Sequence, residues 1–166
     1  MRVFLLLTFC ACSLAAFGED ARYIHKEPKF SVKFPDGWEI KTDMPGAAVV
    51  AMSKAPEGEQ QAAIAIITHK REKPVGLAAF VKASAEKMAA GMTNLKETPL
   101  PDIQWSGKPV KRIVFEGERN GKKFRGLYYL AVNDLYTYTV ACSADPAKFE
   151  ADKAVFEAAL ATFKFE

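Results

Sequence analysis

The sequence predicts an α+β domain in which an antiparallel β-sheet carries a helix on each face. Three observations predict it. Runs of apolar–polar alternation, the period of a half-buried strand, recur along the chain and are joined by short turn-forming clusters. Two other segments place their apolar residues at helical spacing. Segment 123–132 carries large side chains on both faces (Phe124, Tyr128 and Leu130 against Leu127 and Tyr129), as a central strand covered from both sides does. Two amphipathic helices and a sheet with two apolar faces combine most simply as an α/β/α sandwich.

The elements follow in order. Residues 19–29 read as a polar lead-in. Phe30-Ser31-Val32-Lys33-Phe34 alternates as a strand, Pro35-Asp36-Gly37 turns, and Trp38-Glu39-Ile40-Lys41 resumes the alternation. Met44-Pro45-Gly46 is a second break. Residues 48–54 and 62–68 read as a strand pair joined through Pro56-Glu57-Gly58-Glu59. Leu77, Phe80, Val81, Ser84, Met88 and Met92 make one stripe of a helix that should stop near Gly91. Residues 94–104 are the least regular stretch, since Pro99 and Pro101 block a helix.

A meander then begins. Ser106-Gly107-Lys108-Pro109 turns and residues 110–118 form a strand. Asn120-Gly121 is a two-residue hairpin signal, because a type I′ turn needs positive φ at both positions. Residues 123–132 return, Asn133-Asp134 turns, and residues 136–144 make the last long strand. Asp145-Pro146 is expected to open the final helix as N-cap and first helical residue. Phe149, Val155, Phe156, Ala159, Leu160 and Phe163 would form its apolar side.

The N-terminus has its own logic. Met1-Arg2, an apolar run from Val3 to Cys12, and small residues up to Gly18 have the layout of a secretory signal peptide, shorter than the roughly 20 apolar residues of a membrane span. Residues 1–18 are therefore expected to be a signal peptide and residues 19–166 one exported domain, secreted or periplasmic. Cys12 suits a lipid anchor, but Phe9 and Cys10 are poor residues in the positions before it, so lipidation ranks below plain export. Loss of Cys10 and Cys12 leaves Cys142 alone, without a disulfide partner, on the strand face of Tyr136, Tyr138 and Val140, where burial is the expected fate. The net charge of +3, with acids and bases interleaved, provides no clustered basic face for nucleic acid.

The order of elements resembles a known family. It is carried by Phe30-Ser31-Val32-Lys33-Phe34-Pro35-Asp36-Gly37-Trp38-Glu39 near the start of the domain and by the Gly107-Lys108-Pro109 turn. The Glu116-Gly117-Glu118-Arg119-Asn120-Gly121 hairpin, the Tyr128-Tyr129 and Tyr136-Thr137-Tyr138 strands and the closing helix with Phe149, Phe156 and Phe163 complete it. These features look like the PsbP-like superfamily, which includes bacterial PsbP-related and DcrB-like periplasmic proteins. The resemblance implies an α/β/α sandwich and accessory, scaffolding or chaperone-like binding in place of catalysis. Photosynthetic members support photosystem II; nothing in this sequence points to a photosynthetic host, and that role is not carried over.

Catalytic motifs are not found. His25 and His69 have no partner at ligand spacing, and neither a phosphate-binding glycine loop nor a nucleophile elbow is present. No catalytic residue, metal or cofactor is expected. The candidate partner-binding residues are cations around the Asn120-Gly121 turn, Arg119, Lys122, Lys123 and Arg125, joined by Lys108, Lys111 and Arg112 on the neighbouring strand. They offer a surface for an acidic protein partner or for lipid head groups, or they are merely a solvated turn. The leading expectation is an exported, non-catalytic protein that binds a partner in the cell envelope, with peripheral membrane contact and oligomeric state left open. A second is a small-ligand or lipid carrier whose pocket, between sheet and helix, would be lined by residues such as Phe80, Met88, Tyr128 and Tyr138. A third is a hydrolase built from scattered residues.

Overall fold

The computed structural model describes residues 22–57 and 59–166. The signal peptide and the Cys12 anchor considered above lie outside the described residues. Twelve elements follow in order. They are β1 (Tyr23–Lys26), β2 (Lys29–Val32), β3 (Glu39–Lys41), β4 (Val49–Met52), β5 (Ala63–Lys70), α1 (Leu77–Gly91), β6 (Thr93–Trp105), β7 (Lys108–Arg119), β8 (Lys122–Asn133), β9 (Tyr136–Ala144), α2 (Phe149–Ala161) and β10 (Lys164–Phe165). Seven strands form an antiparallel sheet in the order β3-β4-β5-β9-β8-β7-β6, and β1-β2-β10 form a smaller one.

The meander from β6 to β9 is built on sharp turns. Ser106-Gly107 and Asn120-Gly121 both have positive φ at each of their two residues (46° and 77°; 52° and 72°), as type I′ hairpins require. The first turn is Ser106-Gly107 alone, and β7 already starts at Lys108.

The register sorts β8 into two faces. Leu127, Tyr129 and Ala131 share a face with Val110 and Val114 of β7, Val140 and Cys142 of β9, and Ile64 and Ile66 of β5. These residues join Phe149, Phe156 and Leu160 of α2 and Phe163 in one core. Tyr128 and Leu130 point the other way with Ile113 and Phe115, on the side where α1 lies over β8 and β6. The helix stripe is as the spacing predicts: Met88 is buried, and Leu77, Phe80, Val81, Ser84 and Met92 are half-buried. The sheet thus has a helix on each face.

Three expectations need correction. Residues 94–104 are not irregular: β6 is a 13-residue edge strand, with register shifts between Thr93 and Lys96 and between Leu100 and Ile103. Pro99 and Pro101 end a helix but are tolerated at a sheet edge, where an outward N–H has no ladder partner to lose. The polar lead-in contains β1, whose alternating residues gain shelter only when β2 pairs with it, Tyr23 opposite Val32. Finally, α2 begins at Phe149, not at Pro146. Asp145 instead closes a turn before the helix. Its Oδ1 accepts the N–H of Ala147 at 2.8 Å, and its carbonyl accepts the N–H of Lys148 at 2.9 Å. A proline after an Asx residue suits such a turn as well as a helix start, so the pair alone does not separate the two.

An aromatic cluster ties the small sheet to the large one. Phe163 stacks on Trp105 at 4.1 Å between ring centroids and on Phe30 at 5.3 Å, and Tyr138 meets Phe165 at 4.9 Å.

Candidate partner-binding surface

The polar groups most able to do chemistry are apart from one another. Cys142 is fully buried between Ile64 of β5 and Leu127 of β8, and burial pushes its thiol pKa well above the ordinary value. His25 stacks on Phe30 at 4.8 Å. Its Nε2 faces the carbonyl of Glu27 at 3.0 Å and must carry the proton, so its Nδ1 accepts from the Tyr23 hydroxyl at 2.9 Å. His69 lies at the exposed end of β5, opposite Thr137. Buried Ser31 receives the guanidinium of Arg22 at 3.0 Å and donates to the Glu166 carboxylate at 2.5 Å. Among the described residues no three His, Cys, Asp or Glu side chains are placed to hold a metal ion.

The structure spreads the seven candidate cations over both sides and both ends of the sheet. Arg119 and Lys122 face each other across the Asn120-Gly121 turn on the α1 side, where the Arg119 Nε donates to the Gly91 carbonyl at the end of α1 at 3.2 Å. Lys123 and Arg125 are on the α2 side. Arg125 is held by Glu116 at 2.9 Å and Glu150 at 3.0 Å and lies 4.5 Å over the Phe149 ring. Arg112, also on the α2 side, donates to the Pro101 carbonyl at 2.9 Å and to Glu157 at 3.1 Å. Arg112 and Arg125 therefore clamp α2 through two glutamates two turns apart. Lys111 pairs with Asp102 at 2.7 Å on the opposite side. Lys108 starts β7 while Arg119 ends it, roughly 35 Å away along an extended strand. The single patch suggested by the sequence is therefore reduced to the hairpin end.

At that end lies an open hollow of about 360 Å³. Asn94 and Lys96 of β6, Glu116, Gly117 and Glu118 of β7, and Lys123, Phe124 and Arg125 of β8 line it, with Pro146 closing one side. Lys96 sits directly across from Glu116, and Glu118 from Lys123. Asn94 and Lys96 were hidden from sequence reasoning because their strand was not recognised; the Lys96–Glu97 charge pair beside Pro99 gave no sign of its register. A second hollow, of about 500 Å³, runs along the outer side of α2 between Ala154, Val155 and Ala158 and the Phe34-Pro35 corner.

The carrier pocket expected between sheet and helix is not assembled from its proposed residues. Phe80, Met88 and Tyr128 belong to the α1 side, whereas Tyr138 belongs to the α2 core with Phe30 and Phe163.

No model of a known protein family matches the sequence, and comparison with curated proteins finds no relative. Solved structures do match. The solution structure of cyanobacterial PsbP (CyanoP) from Synechocystis sp. PCC 6803 is 16% identical, with 92% of this chain and 99% of that one covered at a TM-score of 0.61. LpqN, described as involved in cell envelope biogenesis of Mycobacterium tuberculosis, is 11% identical over 87% of this chain and 88% of its own, with a TM-score of 0.68. A Pseudomonas aeruginosa protein of unknown function is 14% identical over 82% and 90%, with a TM-score of 0.58. At these identities the likeness is one of fold.

Proposed function

We propose, on the premise that this chain has the PsbP-like fold, that it is an exported, non-catalytic accessory protein of the cell envelope that works by binding another protein. The observation that carries this reading is how the side chains are used. Both faces of β8 are committed to packing under a helix, Cys142, the one cysteine among the described residues, is sealed in the core, and neither His25 nor His69 closes an ion pair with an acid among the described residues. The hydrolase reading needs a histidine set between an acid and a nucleophile; His25 touches a phenol, a carbonyl and an aromatic ring instead.

Export is supported by the basic start and short apolar run of residues 1–18. Among the described residues no helix is long and apolar enough to cross a membrane. The neighbours agree in character: one is a PsbP protein and another is described by its part in cell envelope biogenesis.

The test is chemical crosslinking of the protein in its own cell envelope, then purification and mass identification. The reading expects one protein species recovered in fixed ratio. Recovery of no protein, with a lipid or small molecule retained instead, would overturn it in favour of a carrier.

A further inference from the structure

We propose that Asn120, at the tip of the β7–β8 hairpin, is a self-modifying site: the backbone nitrogen of Gly121 attacks its side-chain amide, and the cyclic imide so formed opens to aspartate and isoaspartate. The site is independent of the protein-binding reading above and gives the hairpin end a covalent step that changes its charge.

The two reacting groups are adjacent and unencumbered. Asn120 and Gly121 are both exposed and make up the whole turn, since the strand ladder closes at Arg119 opposite Lys122. The Gly121 N–H lies outside that ladder, and among the described residues the Asn120 carboxamide makes no hydrogen bond. A Cβ placed on Gly121 would meet nothing within 4 Å, so nothing crowds the nitrogen. Ring closure turns the Asn120–Gly121 peptide plane until the nitrogen faces the side chain, with Asn120 at φ, ψ of about +60°, −120°, the first central position of a type II′ turn. Asn120 already has a φ of 52°. Flipping that one peptide plane therefore converts the type I′ turn into type II′, the other two-residue turn that matches the twist of paired strands. The flip carries φ of Gly121 from 72° to a negative value, and glycine accepts either sign.

The chemistry needs only water. Hydroxide removes the Gly121 amide proton and the nitrogen bonds to Asn120 Cγ. The Cγ–Nδ2 bond breaks, and the side-chain nitrogen takes a proton from water and leaves as ammonia. Water then opens the imide without any oxidation or reduction. Opening at Cγ leaves aspartate; opening at the main-chain carbonyl leaves isoaspartate, whose backbone runs through the former side chain. Arg119 and Lys122 flank the turn, and their field favours the anionic nitrogen and the oxyanion that follows. Either product sets a carboxylate between these two cations and lowers the net charge of +3 by one. Asn94 and Asn133, the other asparagines of the chain, supply the comparison. Asn94 shares the positive φ, at 53°, but Leu95 follows it, and Asp134 follows Asn133. A side chain on the attacking residue hinders both the flip and the attack.

The test keeps the folded protein in mildly alkaline buffer for several days and follows its proteolytic peptides by mass. The Asn120 peptide should gain about 1 Da and divide into two chromatographic forms, one of them a substrate for an isoaspartate-specific methyltransferase. Asn94 and Asn133 should convert at least about tenfold more slowly. Asn120→Gly, whose Gly-Gly pair still suits the turn, should show no gain in that peptide and a Tm close to that of the parent. Asn120 left intact in the folded protein, over a period in which a synthetic peptide of residues 115–126 converts, overturns the proposal, because the turn then withholds the flip. Aspartate formed without isoaspartate overturns the imide route. Conversion of Asn94 or Asn133 as fast as Asn120 overturns the part given to Gly121.

Discussion

Gly126 is the position where a single methyl group should do the most damage. It lies in the middle of β8 on the α1 side, directly opposite Phe115 of β7 and beside Ser143 of β9. The Phe115 ring fills the space that a side chain would occupy. A Cβ added at Gly126 would lie 2.4 Å from Phe115 Cζ and 2.2 Å from the Cys142 carbonyl oxygen. The ring can be displaced by rotating its side chain, but Phe115 also packs in a tilted pair against Tyr128, 4.5 Å between ring centroids, so the shift spreads. The carbonyl belongs to the β8–β9 ladder and moves only with its strand. Overpacking of this kind costs about 1–3 kcal/mol, and backbone involvement places Gly126→Ala at the upper end. For a domain of this size, about 3 kcal/mol corresponds to a fall in Tm of roughly 6–12 °C. Urea unfolding followed by tyrosine and tryptophan fluorescence measures it. Gly126→Ala/Phe115→Leu should recover part of the loss, leaving the share due to the carbonyl. A Gly126→Ala variant within about 0.5 kcal/mol of the parent would refute the packing described for this face.

Other consequences are independent of that contact. A double-mutant cycle on Arg112 and Glu157 should give a coupling of about 0.5–1 kcal/mol, because the arginine is only 16% exposed although its partner is 40% exposed; no coupling would mean that the clamp on α2 is decorative. Cys142 should be silent toward a thiol reagent in the native protein and react only on unfolding, at a rate set by opening. Stability should fall in alkali. Burial raises the pKa of Tyr138 to about 12 and also raises that of Tyr129, from an ordinary value of 10.0. The native state therefore holds these protons more tightly than the unfolded chain, so their contribution is complete below about pH 10 and is lost as pH rises toward 12. Denaturant unfolding at intervals from pH 9 to 12 should show the decline, and a flat profile would contradict the burial of these phenols.

Much of the architecture could be read from residues that act locally. Asn120-Gly121 dictates its turn through backbone sterics, and β8 announces its central place through bulk on both faces. The helix stripe of α1 needed only spacing. What could not be read depends on the partner strand. Tyr23-Ile24-His25-Lys26 has too few apolar residues to declare a strand until β2 lies beside it. Pro99 and Pro101 speak against a helix and say nothing of an edge. The same limit applied to the surface. The seven cations are close in sequence, but alternation sends Lys123 and Arg125 to one face and Arg119 and Lys122 to the other, and ion pairs absorb Lys111, Arg112 and Arg125. Lys96, which the register brings to the same hollow as Lys123, belonged to the stretch that looked irregular.

The account depends on the two faces of β8 packing beneath separate helices, which sets Tyr128 and Tyr138 on opposite sides of the sheet. Nuclear Overhauser contacts among the aromatic rings test this most directly. The predicted pattern joins Phe115 to Tyr128 on the α1 side and joins Tyr138 to Phe165 and Trp105 to Phe163 on the other. A contact between the rings of Tyr128 and Tyr138 would contradict it, for those two side chains could then line one pocket.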